Sequence, residues 1–213
     1  MRPTKLLGER VHLVAFTSAD EAELTEVLNR NAAHLGPWMP WAQDLPRSAS
    51  TNREFLESVA ADRANDTDHG FALRRADTGE LVGATGLHRR VGPGGIEIGY
   101  WLDSGHTGRG LVTEAAAIAT AAGFEHFGAM RMEIHVAPDN ARSLRVPERL
   151  GYTREGLLRA RSPWPRGGWR DKVVHSLLAS EFPASPAAGV RYRAFDEGGD
   201  ELRPAAVEPE ERL

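Results

Sequence analysis

A strand, a glycine-rich turn and a helix follow one another over residues 95–127, GIEIGYWLDSGHTGRGLVTEAAAIATAAGFEHF, and this succession constrains the fold more than any other stretch. Residues 96–102 form an apolar run rich in β-branched and aromatic side chains, as a strand packed on a core requires. Residues 103–110 hold three glycines in eight positions, so the backbone there can turn tightly and approach a ligand closely. From Leu111 the apolar residues Leu111, Ala115, Ile118, Ala119 and Ala122 recur at helical spacing. A helix starting on such a turn aims unpaired N–H groups and the positive end of its dipole at one spot, where a phosphate can sit. The plainer reading of the turn is ordinary loop chemistry. It lacks the Gly-Lys-Ser/Thr ending of a P-loop, and Gly105-x-x-Gly108-x-Gly110 has its glycines in the wrong order for a dinucleotide fingerprint.

The rest of the chain narrows the class. With 213 residues, 41% of them hydrophobic, it suits one domain with a real core. A net charge of −4 gives no basic field, so no direct nucleic-acid partner is expected. The absence of cysteine excludes disulfides, thiolate metal sites and a cysteine nucleophile, and fits a reducing compartment. No apolar run is long enough to span a bilayer and the start lacks a signal segment, so a soluble cytoplasmic protein is expected. The histidines lack metal-ligand spacing and no nucleophile elbow is present, so neither a metal nor a covalent intermediate is expected.

In chain order, residues 9–16 alternate like a first strand. Ser18-Ala-Asp-Glu21 has capping-box spacing before a helix striped by Leu24, Val27 and Leu28. Residues 34–41, HLGPWMPW, cannot sit in a helix interior. They read as a loop pinned over the core by aromatic anchors, or as a loop whose Trp38 and Trp41 wall a pocket. Thr51-Asn-Arg-Glu54 is a second capping box, with Phe55, Leu56, Val59 and Ala60 as the inner face of its helix. Residues 71–75 and 81–88 flank the hairpin turn Asp77-Thr78-Gly79. Residues 130–136 alternate as a half-buried strand, with Met130, Met132, Ile134 and Val136 on one face. Asn140 can cap a following helix and Gly151 can end it, with Pro147 predicting a kink or a short helix. Val173, Val174, Leu177 and Leu178 mark a last buried strand. The predicted class is α+β, with hairpins and strand–loop–helix units building a mixed sheet flanked by helices.

Two specific motifs and three weaker ones carry a resemblance. Glu97-Ile-Gly-Tyr-Trp-Leu-Asp103, Gly108-Arg-Gly110 and Thr113-Glu-Ala115 resemble the acetyl-CoA motif of the GNAT superfamily of N-acetyltransferases, with Gly105 where Gln or Arg is usual. Asn140-x-x-Ser143-x-x-Val146-x-Glu148-Arg-Leu-Gly-Tyr152 resembles the family's second motif. The Trp-x-Pro-Trp41 segment, Pro147-Glu-Arg and Gly-Gly-Trp-Arg-Asp171 are similar to the ribosomal-protein N-acetyltransferase branch. The resemblance implies a strongly twisted mixed sheet with a splayed central strand pair and acetyl-CoA as cosubstrate. It covers a domain of residues 1–183 and leaves 184–213 as an extension: a linker, one more strand over residues 190–195, then an acidic, disordered tail from Pro204. The alternative for this extension is a contact between two copies.

What the resemblance implies for chemistry is direct attack of an amine on the thioester. The backbone of Thr107, Gly108, Arg109, Gly110, Leu111 and Val112 would hold the pyrophosphate. Trp101, Leu102, Asn140 and Ser143 would complete the cofactor site, with an amide near Leu102 stabilising the oxyanion. Glu97 is the candidate base, with a strand carboxylate held in an ion pair as its plain alternative. Where many members carry a tyrosine acid this chain has Pro147, so Ser143 is the candidate proton donor, or only a cofactor contact. Trp38, Trp41 and His88 are candidate acceptor-site residues. The acceptor is expected to be the α-amine of a protein N-terminus. A small amine or a non-catalytic acyl-CoA-binding module is the alternative.

Overall fold

The computed structural model describes residues 1–164, 167–205 and 207. The chain opens with a tight hairpin, β1 (Lys5–Leu7) and β2 (Val11–Ala15), where the sequence predicts one strand. Helix α1 (Glu21–Arg30) follows, and the capping box lies one residue earlier than the spacing predicts: the Asp20 carboxylate accepts from the Thr17 amide at 2.7 Å. Glu21 is thereby free to pair with Arg53 at 2.6 Å. A one-turn helix α2 (Ala32–Leu35) leads into the tryptophan loop. Helix α3 (Ala49–Ala64) is capped by Ser48, whose hydroxyl accepts from the Thr51 amide, so Thr51 lies inside the helix. Of its expected inner face, Leu56 is buried and Val59 half-buried, but Phe55 and Ala60 are exposed; the turn of the helix gives their place to Asn52, fully buried.

Strands β3 (Asp68–Arg75) and β4 (Leu81–His88) form the expected hairpin about Gly79, whose φ of 74° needs glycine. Then come β5 (Gly95–Leu102), α4 (Leu111–Glu125), β6 (Arg131–Val136) and α5 (Ala141–Arg149). Met130, expected in the β6 face, precedes the strand and is exposed. Strand β7 (Thr153–Pro163), which the sequence pattern leaves unannounced because it is exposed along its length, pairs with β8 (Trp169–Leu178).

With two short strands near the end of the chain, β9 (Arg193–Phe195) and β10 (Glu201–Leu202), the sheet runs β10-β9-β1-β2-β3-β4-β5-β6-β8-β7, and every neighbouring pair is antiparallel except β5 and β6. Helix α4 fills one face. Its alanines let it settle close to the strands, and a Cβ added at Gly123 would stand 2.5 Å from the Met132 sulfur. Helices α1 and α3 cover the opposite face through Leu24, Val27, Leu28 and Leu56, over Ala72 and Leu81. Among the described residues no helix is long and apolar enough to cross a membrane.

The chain after residue 183 builds on the same sheet. Strand β9 (Arg193–Phe195) is shorter than the six residues expected, and pairs antiparallel with β1, while β10 (Glu201–Leu202) pairs with β9. Ala187 and Ala194 are buried, Tyr192 donates to the Glu125 carboxylate, and the Ala205 amide donates to the Glu125 carbonyl. Most of the predicted disordered tail, residue 206 and residues 208–213, lies outside the described residues.

Two stability outcomes follow from this packing. Ending the chain after Pro183 removes β9 with its buried alanines, and should cost on the order of 3 kcal/mol in urea unfolding. An unchanged midpoint would show that the extension is idle. Separately, burial lowers the pKa of His69, His126 and His175, so the folded state keeps these rings neutral where the unfolded chain takes up a proton. Stability should therefore be complete above the unfolded value of about 6.5 and fall below it, by on the order of 1 kcal/mol per pH unit for each ring that stays neutral. Among the described residues His175 has both ring nitrogens buried without a hydrogen-bond partner, so His175→Leu should flatten that slope between roughly pH 6.5 and 5.

Candidate active site

β5 and β6 lie side by side but do not stay together. They pair only at Gly95–Arg131, Ile96–Met132 and Glu97–Glu133, although β5 continues to Leu102 and β6 to Val136. Beyond Glu97 a gap opens through the sheet. On its other edge β5 stays paired with β4, and the Asp103 amide donates to the Val82 carbonyl at 2.7 Å. Antiparallel alternation then turns the N–H groups of Tyr100 and Leu102 away from β4 and into the gap.

A cleft of about 750 Å³ runs through this opening. Its lining includes Trp38, Trp41, His88, Trp101, Asn140 and Ser143, so six residues singled out from the sequence meet at one site. Leu102, Thr107, Gly108, Arg109, Gly110, Leu111 and Val112 do not border it. They continue from the end of β5 into the start of α4. Gly108 and Gly110 both take φ values near 77° (78° and 76°), and among the described residues the amides of Gly108 to Val112 donate to no protein acceptor. The entry to this loop is pinned: Asp103 accepts from the Gly105 amide at 2.8 Å and pairs with Arg30 at 2.6 Å, while Asn31 accepts from the Ser104 amide. Arg10 braces the far end, bonding the Arg109 carbonyl and the Glu114 carboxylate.

Glu97 is placed differently from the expectation. Its carboxylate receives two hydrogen bonds from Arg90, at 2.8 and 2.9 Å, and it does not border the cleft. Burial by itself would raise its pKa, but the Arg90 guanidinium outweighs burial and the carboxyl titrates below its ordinary value. A doubly bonded, acidified carboxylate is a weak proton acceptor, so the ion-pair alternative describes the geometry.

Three cross-strand rows underlie the cleft, and all their residues but Glu97 and Ala72 border it. Register aligns Asp68, His88 and Glu97, then Gly70, Gly86 and Gly99, then Ala72, Ala84 and Trp101 across β3, β4 and β5. The middle row is a trough without side chains between a charged row and an aromatic end, where Trp41 meets Trp101 edge-to-face at 6.3 Å. His88 folds into the trough: a Cβ added at Gly86 or Gly99 would stand 2.7 or 2.9 Å from its ring. Asp68, a residue for which the sequence carries no signal, accepts a hydrogen bond from His88 Nδ1.

On the far side of the gap α5 begins. Asn140 caps it, accepting from the Ser143 amide at 3.2 Å. Pro147 has no N–H for the carbonyl four residues back, which is that of Ser143. The Tyr100 hydroxyl from β5 takes the place of that donor, 3.3 Å from the Ser143 carbonyl and 3.0 Å from its Oγ. Burial raises the Tyr100 pKa, so the phenol stays protonated. The proline thus produces a short helix whose Ser143 is tied across the gap to β5. At the cleft mouth Arg170 lies over Trp38 (5.3 Å) and Trp164 (4.2 Å), donates to the Pro37 carbonyl and pairs with Asp139 at 2.7 Å. Lys172 also faces the cleft, and among the described residues it has neither ion pair nor hydrogen bond; burial, then the nearby Arg170, lowers its pKa.

A family model described as an acetyltransferase (GNAT) domain matches residues 10–153, well over half the chain. The chain belongs to the GNAT acetyltransferase family. The putative ribosomal N-acetyltransferase YdaF of Bacillus subtilis is 31% identical over 183 residues, covering 83% of this chain and 95% of the relative. The ribosomal-protein-serine acetyltransferase of Escherichia coli is 26% identical over 161 residues, covering 75% and 88%. Among solved structures, Mycobacterium smegmatis RimJ in complex with CoA-disulfide superposes with a TM-score of 0.78 at 27% identity, covering 88% of this chain and 95% of that one. This GNAT chain is therefore an N-acetyltransferase, and its sheet carries the splayed pair that the family resemblance predicts.

In this GNAT chain Arg170 fastens the tryptophan loop to the β7–β8 hairpin. Arg170→Ala should raise amide hydrogen exchange across residues 36–44 at least about tenfold while the sheet exchanges as before. Unchanged exchange would show that the loop is held by its own core contacts.

Proposed function

We propose that the protein transfers the acetyl group of acetyl-CoA to the α-amine of a protein or peptide N-terminus. The observation that carries this reading is the cleft that passes through the β5–β6 gap, with unpaired β5 amides on one side and a glycine trough on the other. The cleft, about 750 Å³ and walled on this side by the His88 ring over Gly86 and Gly99 and by Val59 beside Gly70, has room for an extended chain end. The relatives named as ribosomal or ribosomal-protein acetyltransferases support the same acceptor class.

The residues present fit acetyl-CoA. The free amides of Gly108, Arg109, Gly110, Leu111 and Val112 at the start of α4 would hold the pyrophosphate, with Thr107 at the loop's edge. The gap-facing amides of Tyr100 and Leu102 offer donors to the pantetheine chain and to a developing oxyanion. Ser143, fixed by Tyr100, would give a proton to the departing thiolate. An α-amine suits this apparatus, since its pKa of about 7.7–8.0 leaves far less to a base than a lysine at about 10.4. A second reading, a small amine attached to a flat ring, draws support from the Trp41–Trp101 pair at the trough's end and from Trp38 held by Arg170.

Incubation with labelled acetyl-CoA, peptides bearing free N-termini and a panel of small amines, read by mass spectrometry, separates these readings. Label on peptide α-amines is the expected result, and label confined to small amines would favour the second. Gly108→Val should force a β-branched residue into a positive φ and crowd the loop, weakening acetyl-CoA binding by more than about tenfold with the fold retained. Wild-type calorimetric affinity in that folded variant would remove the loop from the site.

A further inference from the structure

The cleft needs a group that accepts the ammonium proton of the acceptor, and Glu97 is bound up with Arg90. The geometry points to His88 as the catalytic base of this protein, with Asp68 as its positioning residue. The inference rests on the acetyl-transfer reading above and assigns the proton step within it.

Four observations carry it. His88 lines the cleft at the place where the β5–β6 ladder has just ended, because its register partner is Glu97, the last residue of β5 paired with β6. Its Nδ1 is bonded to the Asp68 carboxylate, which can only accept, so the proton sits on Nδ1 and the lone pair on Nε2. Nε2 has no protein partner among the described residues, and the side chain is 20% exposed, open to the cleft rather than sealed in the core. The ring reaches this position only because Gly86 and Gly99 lack side chains; Nε2 stands 2.7 and 2.9 Å from where their Cβ atoms would be. A carboxylate behind one imidazole nitrogen, with the other turned toward a reaction cleft, is the arrangement that orients a histidine for proton transfer.

The step balances without another reagent. The acceptor's ammonium gives one proton to Nε2, directly or through one water, and becomes the neutral amine. Its nitrogen bonds to the thioester carbonyl carbon and the carbon–sulfur bond breaks. The second amine proton reaches the sulfur by way of the Ser143 hydroxyl, and the imidazolium returns its proton to water.

The test uses the full chain with acetyl-CoA and a peptide bearing a free α-amine. His88→Ala and His88→Gln should bind acetyl-CoA within about threefold of wild type yet lose about 10²–10⁴ in kcat, with part of the loss restored to His88→Ala by added imidazole. Asp68→Asn should lower kcat by at least about tenfold with little change in KM. Nitrogen-15 NMR of the resting wild-type protein at pH 8 should show His88 protonated at Nδ1, and Asp68→Asn should abolish that preference. Folded His88 variants with wild-type kcat would overturn the inference. So would an Nε2–H tautomer in the wild type, whichever amine proves to be the acceptor. A wild-type protein that binds acetyl-CoA but acetylates no peptide overturns the acceptor reading instead, and the tautomer then still decides the base.

Discussion

The parting of β5 from β6 after three residue pairs is the constraint on which the other features of the site depend. A continuous ladder would satisfy the amides of Tyr100 and Leu102 and seal the sheet. With the ladder broken, those donors are held by β4 on one side and left open on the other, and the cleft passes from the α1/α3 face to the α4/α5 face. Unsatisfied backbone inside a sheet is costly unless something else meets it. The fold keeps the gap by fastening its margins: Tyr100 to Ser143 across it, Arg170 over the tryptophan loop at its mouth, and Arg30 and Asn31 at the base of the loop before α4.

Pro147 shows how one residue acts on several levels. It removes a helical hydrogen bond, which frees the Ser143 carbonyl; the Tyr100 hydroxyl occupies that carbonyl and Ser143 Oγ together. The position where many relatives in the resemblance carry a tyrosine acid thus contributes to this site by what it fails to donate. The histidine row works similarly by absence. Gly86 and Gly99, on neighbouring strands, leave the room that the His88 ring needs.

Much of this was legible in the sequence, and the remainder fails for physical reasons. The order strand, glycine turn, helix is local, and the chain forms it at residues 95–125 because apolar periodicity and glycine placement agree there. Trp38, Trp41, Trp101, Asn140 and Ser143, all singled out from the sequence, border the cleft. The role expected of Glu97 rested on its strand position and its match to the family motif; Arg90, seven residues earlier across a turn, takes up its carboxylate. Asp68 stands beside His88 only through the register of β3 on β4, which no local pattern encodes. The pairing of β9 with β1 joins the two ends of the chain, beyond the reach of any periodicity argument.

The central claim is that the gap between β5 and β6 receives acetyl-CoA. Residue-resolved hydrogen exchange, with and without the cosubstrate, addresses it most directly. The account predicts that the amides of Tyr100 and Leu102 exchange quickly in the free protein and gain at least about tenfold protection on binding, together with those of Gly108 to Val112. Protection confined to other strands, or slow exchange of Tyr100 and Leu102 before anything is added, would contradict it.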